Sequence, residues 1–347
     1  MASRRAFAHL FLLAATATAV ACAATSVRAQ QDVAKKSARE TMVEQALRLR
    51  AFAVSEIAND FLDAVPELPP LTGARVVYRN RATRDAIPES KASTMSEAEL
   101  EGYTRLELDE EFYYFTMYGT PLAFVRPLDL IGRAGLESLD GARVADFGFG
   151  SVGQLRLMAA NGASAHGIDV DPLLTVLYGR VTDTGRVLRA KSAGAGDGGD
   201  IAVHIGQWPG DAVVAGAVGG DYDAFISKNT LKAGYIHPAE EVDPRMLVHL
   251  GVDDDTFVRA VYDALKPGGL FMIYNLCPPQ SPDQYIPWAD GRSPFPRALL
   301  EKTGFRVLAF DRDDTEAARE MGALLGWGDQ TSGLDTDLFG TYTLARK

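Results

Sequence analysis

Apolar and polar positions follow two regimes along this chain, and the change falls near Gly141. Before it, Val43, Leu47, Val54, Ile57, Ala58 and Phe61 recur at roughly helical spacing between Ser37 and Leu62. That spacing predicts one long amphipathic helix, ending before Pro66 and the Pro69-Pro70 break. Residues 71–97 are polar and irregular, and Ser96 with Glu99 matches a capping box that would open a short helix through Leu100. Phe112, Tyr113, Tyr114, Phe115, Tyr118 and Phe124 crowd the stretch 111–124. So much aromatic surface should pack on the main domain or line a cleft. A helix over 128–139 leads onward.

After Gly141, short apolar runs alternate with helical patterns. The expected strands are 143–148, 165–169, 201–205, 222–227, 269–275, 305–310 and 338–345. Helices are expected at about 151–161, 171–181, 254–265 and 294–303, with a further one over 314–325. Strand-helix alternation of this kind predicts an α/β domain, a mostly parallel sheet of seven strands with helices on both faces. The run Gly194 to Asp200 is expected to be a flexible loop. There is no internal repeat, and no heptad run that would set an oligomeric state.

The chain has 347 residues, 47% of them hydrophobic, enough for one large domain with an appendage. Its N-terminus reads as an address. Arg4-Arg5 precede the apolar run Ala6 to Ala24, and Val27-Arg28-Ala29 offers a small-x-small cleavage site before Gln30. The flanks suit a removable signal better than a stable membrane span. Ser3-Arg4-Arg5-Ala6-Phe7 resembles the twin-arginine export consensus, so an exported, periplasmic destination is expected. A lipoprotein signal at Ala19-Val20-Ala21-Cys22 and an organellar presequence are the alternatives. The domains read as 1–29 leader, 30–140 helical aromatic-rich extension and 141–347 α/β domain. Loss of the leader's three arginines turns 35 basic residues into 32 against 46 acidic ones, and the net charge from −11 to −14. Such a body suits phosphate contacts poorly, which argues against nucleic acid as a partner. Loss of Cys22 leaves Cys277 alone, a small apolar residue at a strand end.

Candidate chemistry lies between Ala142 and Pro172. An apolar strand runs into Gly148-x-Gly150-x-x-Gly153 and a helix follows at once. Glycines let the backbone turn sharply beside a ligand, and the helix start offers free N–H groups. The next strand ends in Asp169, placed to accept bonds from ribose hydroxyls. A nicotinamide dinucleotide site shares this pattern. Asp146, two residues before the first glycine, sets it apart, because a carboxylate there would repel a pyrophosphate. An ammonium and a sugar would suit it.

In these features the chain resembles motif I of the class I S-adenosylmethionine-dependent methyltransferases, over about residues 141–347. Leu265-Lys266-Pro267-Gly268-Gly269 before Leu270-Phe271-Met272-Ile273 is similar to the turn before that family's fifth strand. The resemblance implies a Rossmann-like fold whose last strand pairs antiparallel at the sheet edge, and S-adenosylmethionine as cofactor. It also implies that Gly148 and Gly150 approach the methionine part, Asp146 holds its amino group and Asp169 binds the ribose. Phe147, Phe149 and Val170 are counted with them. Gln207 stands where the family often has an acid for the adenine amino group, and Trp208 would stack on the ring or else belong to the core.

Substrate is expected at the carboxyl ends of the strands. The fourth strand delivers Ser227-Lys228-Asn229-Thr230 there, without the Asn/Asp-Pro-Pro-aromatic motif of amino-group methylation on bases and glutamine. Lys228 would pair with an acidic substrate, Asn229 would orient a polar group, and His237 would serve as a base or be a surface residue. Asn275 and Pro278-Pro279 reach the same rim. His166, His204 and His249 are expected in packing roles, and Asp253-Asp254-Asp255 as a helix cap. No His, Cys, Asp and Glu set has metal spacing. The expected activity is methyl transfer to a small-molecule or protein acceptor. An NAD(P)-dependent oxidoreductase and a non-catalytic exported S-adenosylmethionine-binding protein are the rivals.

Overall fold

The predicted N-terminal helix exists in two pieces. A computed structural model describes residues 36–329 and 333–347, so the expected leader and Cys22 lie outside the described residues. Helix α1 (Ala38–Leu49) opens with a complete capping box between Ser37 and Glu40. Helix α2 (Glu56–Asp63) follows a break at which Val54 is exposed. The break is held open by Asp129, which accepts the N–H groups of Val54 (2.8 Å) and Ser55 (2.7 Å). A tertiary partner for two backbone donors outweighs continued helix.

The segment read as irregular contains a small antiparallel sheet, β2-β1-β3, built from β1 (Arg75–Asn80), β2 (Ala86–Pro88) and β3 (Tyr103–Leu108). The extension is therefore mixed rather than helical. Short helix α3 (Glu89–Ala92) lies between β2 and β3. The Ser96–Glu99 box forms, with Ser96 N–H donating to Glu99 at 2.8 Å, but it closes a turn and not a helix. Helix α4 (Glu110–Phe115), a 3₁₀ turn at Pro121–Phe124 and helix α5 (Val125–Arg133) complete the unit.

The main domain runs β4 (Arg143–Phe147), α6 (Gly153–Ala160), β5 (Ser164–Asp169), α7 (Pro172–Leu177), β6 (Gly185–Arg186), β7 (Asp200–Ile205), α8 (Ala212–Val218) and β8 (Tyr222–Lys228). It continues with α9 (Ala233–Ile236), α10 (Asp254–Ala264), β9 (Leu265–Cys277), α11 (Arg297–Thr303), β10 (Arg306–Asp313), α12 (Thr315–Leu324), α13 (Leu334–Asp337) and β11 (Phe339–Arg346). The sheet order is β10-β11-β9-β8-β4-β5-β7-β6, mostly parallel and Rossmann-like. All seven expected strands are present, and two-residue β6 adds an eighth, antiparallel to β7. Strand β11 is antiparallel as expected. It lies between β9 and β10 rather than at the edge, because both its neighbours bond to it along most of its length. Lys266-Pro267-Gly268-Gly269 falls inside β9, where the pairing with β8 shifts register between Tyr222 and Ala224.

Two cores follow from the two faces. On one, Val144, Ala165 and Leu155 meet the helices of the N-terminal unit; on the other, Ala145, Phe147, Phe225 and Phe257 pack with Trp208. The N-terminal unit thus replaces solvent over β8 and β9, beside α6 on β5 and β7 and α12 on β11. Arg126 on α5 fixes it there. It grips both Asp314 oxygens (2.8 and 2.6 Å) and reaches Asp129 (3.2 Å), while Tyr274 of β9 donates to Asp314 at 3.1 Å.

Removing a charge from such a buried set leaves its partners unpaired, at about 3–5 kcal/mol. Arg126→Met is expected to lower unfolding stability by that order in a urea titration. Adding Asp314→Asn should recover part of the loss.

Candidate functional site

The strand order reverses between β4 and β8, and a crevice outside the carboxyl ends of those strands is where open α/β sheets bind ligands. Asp146 on β4 borders it with no solvent exposure. Gln154, in the first turn of α6, donates to Asp146 Oδ2 at 3.0 Å and to the Phe149 carbonyl at 2.6 Å, and is itself oriented by Ser151 Oγ at 2.9 Å. Asp146 Oδ1 is buried and without a partner. Burial pushes this carboxyl from its ordinary 3.8 to about 7, against the pull of the Gln154 bond and of Lys228.

The glycine turn has the expected backbone, with Gly148 at φ +77° and Gly150 at φ +58°. Its close neighbours are protein side chains. A Cβ on Gly148 would run into the Thr230 side chain, and one on Gly150 would lie 2.5 Å from Tyr118 Cδ2. Asp169 at the end of β5 ties the turn together. Its Oδ2 accepts Gly150 N–H at 3.3 Å, and its Oδ1 accepts Val170 N–H at 2.7 Å and Asp171 N–H at 3.0 Å. Burial raises its pKa in spite of these bonds. Beside it Val170 is exposed on the rim, and Arg79 of β1 grips Asp171 at 2.7 and 3.3 Å.

The other candidates divide. Phe147 and Phe149 contribute backbone to the turn, since both rings are buried, Phe149 near Tyr178. Trp208 belongs to the core and not to a ring-stacking site. It is buried, with its ring 5.1 Å from that of Phe225 and 5.5 Å from that of Phe257. Gln207 stays exposed beyond β7 and donates to the His249 carbonyl at 3.4 Å. His249 is exposed rather than packed.

On the acceptor side, Asn229 is a turn residue. It sits at φ +65°, its N–H donates to Tyr274 and its Oδ1 accepts Leu276 N–H at 2.7 Å. An asparagine tolerates that left-handed backbone, and its amide oxygen is committed to β9. His237 is exposed and paired with Asp254 at 2.8 Å, at the start of α10, which makes it a surface residue and not a base aimed into the crevice. Lys228 is half-buried, its Nζ 5.6 Å from the Phe124 ring centre, and burial lowers its pKa to about 8. Deeper on the rim, buried Lys232 donates to the carbonyls of Leu276 (2.7 Å) and Trp288 (3.1 Å). Asn275 is buried and spends its amide on the carbonyls of Leu231 and Gly291.

His166 and His204 are hydrogen-bonded to each other at 3.0 Å, as packing residues. Cys277 is free and buried at the end of β9, and Asp253 caps α10 at Thr256. Among the described residues no group of three or more His, Cys, Asp or Glu could hold a metal ion, and no helix is long and apolar enough to cross a membrane. Sequence reasoning missed Gln154, Arg79 and Lys232, and it named Tyr118 and Thr230 without placing them on the glycine turn. Gln154 had a signal, a polar residue among apolar ones in the first turn after the glycines. Arg79 comes from a segment remote in sequence, and Lys232 finds its partners in Leu276 and Trp288, also remote.

No protein-family model matches the chain, and neither does any curated protein. Solved structures do match it. An S-adenosylmethionine-dependent methyltransferase from Mesorhizobium loti is 17% identical, with 62% of this chain and 95% of that one covered and a TM-score of 0.35. A phosphoethanolamine N-methyltransferase from Haemonchus contortus is 16% identical over 85% of this chain and 76% of that one, with a TM-score of 0.38. The cyclase SpnF is 16% identical, covering 88% and 95%, with a TM-score of 0.38. The Rossmann-like fold itself rests on the strand order and register above.

Gly150→Ala combines a left-handed backbone, about 1–2 kcal/mol for a residue with a Cβ, with a clash against Tyr118. It is expected to lower the melting temperature, and Tyr118→Ala in the same chain should return the clash part only. If Tyr118→Ala returned nothing, the ring would not lie on the turn.

Proposed function

We propose that this chain binds S-adenosylmethionine at the β4–β5 rim and transfers its methyl group to a small-molecule or protein acceptor on the β8–β9 side. The observation that carries the reading is the unpartnered, fully buried Oδ1 of Asp146 beneath the glycine turn. A buried carboxylate oxygen is costly unless it is paired. An α-ammonium group supplies the missing partner, whereas a pyrophosphate would add repulsion, which disfavours a nicotinamide dinucleotide. Asp169 and exposed Val170 would then face ribose and base.

Bound there, the cofactor supplies a methyl group on a sulfonium, already activated toward a nucleophile. The chain's contribution is alignment. Asp146, pinned by Gln154, fixes the amino-acid end, and the rim around exposed Trp288 meets the acceptor. Holding two reactants in line is worth several kcal/mol without any covalent step by the protein.

Calorimetric titration with S-adenosylhomocysteine tests the proposal. Saturable binding is expected, with none for NADH; no heat at millimolar ligand would overturn it. The pH profile has a definite sign. Asp146 titrates at about 7, so affinity should rise from pH 6 as the carboxylate forms. It should fall again at more alkaline pH, as the ligand's α-amino group, held protonated by its own neighbouring carboxylate, loses its proton. Asp146→Asn should weaken binding at least about tenfold and flatten the acid limb.

The same shift acts oppositely on stability. A raised carboxyl pKa means that the folded state holds the proton more tightly, so this group's contribution is present at acid pH. It is lost as pH climbs from 3.8 through about 7. Without ligand at pH 8, Asp146→Asn is therefore expected to melt higher than the parent while binding worse.

A further inference from the structure

We propose that Lys228 and Asp146 form a clamp for a zwitterion, in which Lys228 takes the α-carboxylate of the bound nucleotide's amino-acid end and Asp146 its α-ammonium. This rests on the methyl-donor reading above.

The register of the sheet places the two groups. Asp146 of β4 lies opposite Ile226 of β8, so both side chains point to the same face of the sheet. Lys228, two residues beyond Ile226, alternates back onto that face. Its Cα is about 7 Å farther along the strand, toward the rim. Phe124, on the N-terminal unit that covers this face, carries the ammonium 5.6 Å from its ring centre. Among the described residues Asp146 is the carboxylate that acts on Lys228 electrostatically, and it does so without a hydrogen bond between them. The result is a pair of opposite charges on one face, kept apart, with an open oxygen on one member and an ammonium without an anionic partner on the other.

An α-amino acid presents the complementary pair on a single carbon. Once its ammonium meets Asp146 Oδ1, its carboxylate stands a few ångströms away and is drawn to the Lys228 side. Lys232 is held away from that role, with two of its three Nζ donors on the carbonyls of Leu276 and Trp288. Charge-assisted bonds of this type contribute about 1.5–3 kcal/mol, a factor of roughly 10 to 150 in affinity.

The test compares three ligands on the full chain by calorimetry. They are S-adenosylhomocysteine, its analogue lacking only the carboxylate, and 5′-methylthioadenosine, which lacks the whole amino-acid end. The parent protein should prefer S-adenosylhomocysteine over the decarboxylated analogue by about 10- to 100-fold. Lys228→Met should bind both alike, Lys228→Arg should keep part of the preference, and Asp146→Asn should weaken both in proportion. Unchanged methylthioadenosine binding by each variant reports an intact fold. If Lys228→Met kept the parent's preference, Lys228 would face something else, such as an acidic acceptor, and the clamp would be wrong. If the parent bound no S-adenosylhomocysteine at all, the methyl-donor reading would fall first and the clamp with it.

Discussion

Asp146 carries a charge that the surrounding protein only half satisfies. It ends a central strand, has no exposure to water and receives a single hydrogen bond, from Gln154. Ionised carboxylates are tolerated inside proteins when they are paired and bonded; otherwise they hold their proton. Here the balance sits near neutrality, at about 7. Much of the site's local structure serves that balance. Ser151 orients Gln154, Gln154 also ties down the Phe149 carbonyl, and the glycine turn is thereby fixed to the first turn of α6. Asp169 closes the same turn from the neighbouring strand through Gly150 N–H. A ligand with an ammonium group completes an arrangement that is otherwise one bond short.

The N-terminal unit keeps water from this charge, and it is attached through arginines. Arg126 binds Asp314 and Asp129, Arg75 binds Asp183 at 2.6 Å beneath the Tyr113 ring, and Arg79 binds Asp171. Buried pairs of this sort add little net stability over apolar packing, but they penalise misplacement strongly. Their effect is registry. Arg79 reaches a carboxylate two residues past Asp169, and Arg75 holds the base of the same β-strand. The segment that follows the small sheet is thereby delivered over the glycine turn, where Tyr118 meets Gly150.

The α/β domain was legible because its central strands β4, β5, β8 and β9 are apolar runs buried on both faces and its helices keep a helical period. Both signals are local. The small sheet was not, since β1 buries only Arg75 and Val77 and β3 only Leu108, so no alternation survives in the sequence. The break between α1 and α2 was hidden for a related reason, as its cause is Asp129, far along the chain. At the site, Asp146, Gly148, Gly150 and Asp169 were readable from spacing. For Trp208 and His237 the sequence left two readings open, and for Asn229 it offered a substrate contact, because chain position placed all three at the rim while their side chains turn to the aromatic core, α10 and β9. Position along a strand tells which end a residue occupies. It does not tell which way a loop residue points.

That difference also bears on what the glycines are for. A glycine at a strand-helix turn is usually credited to ligand approach, yet Gly148 and Gly150 are each pressed by a side chain, Thr230 and Tyr118. The two covers differ in how they are held. Thr230 follows Asn229, whose backbone and side chain are both bonded to β9, so shifting it would break those bonds. Tyr118 is 62% exposed and sits between Thr116 at φ +48° and Gly119 at φ +82°, although burial of its hydroxyl raises its pKa to about 12. The Gly148 side of the turn is therefore bound into the sheet through Asn229, whereas the Gly150 side is covered by one side chain from the N-terminal unit.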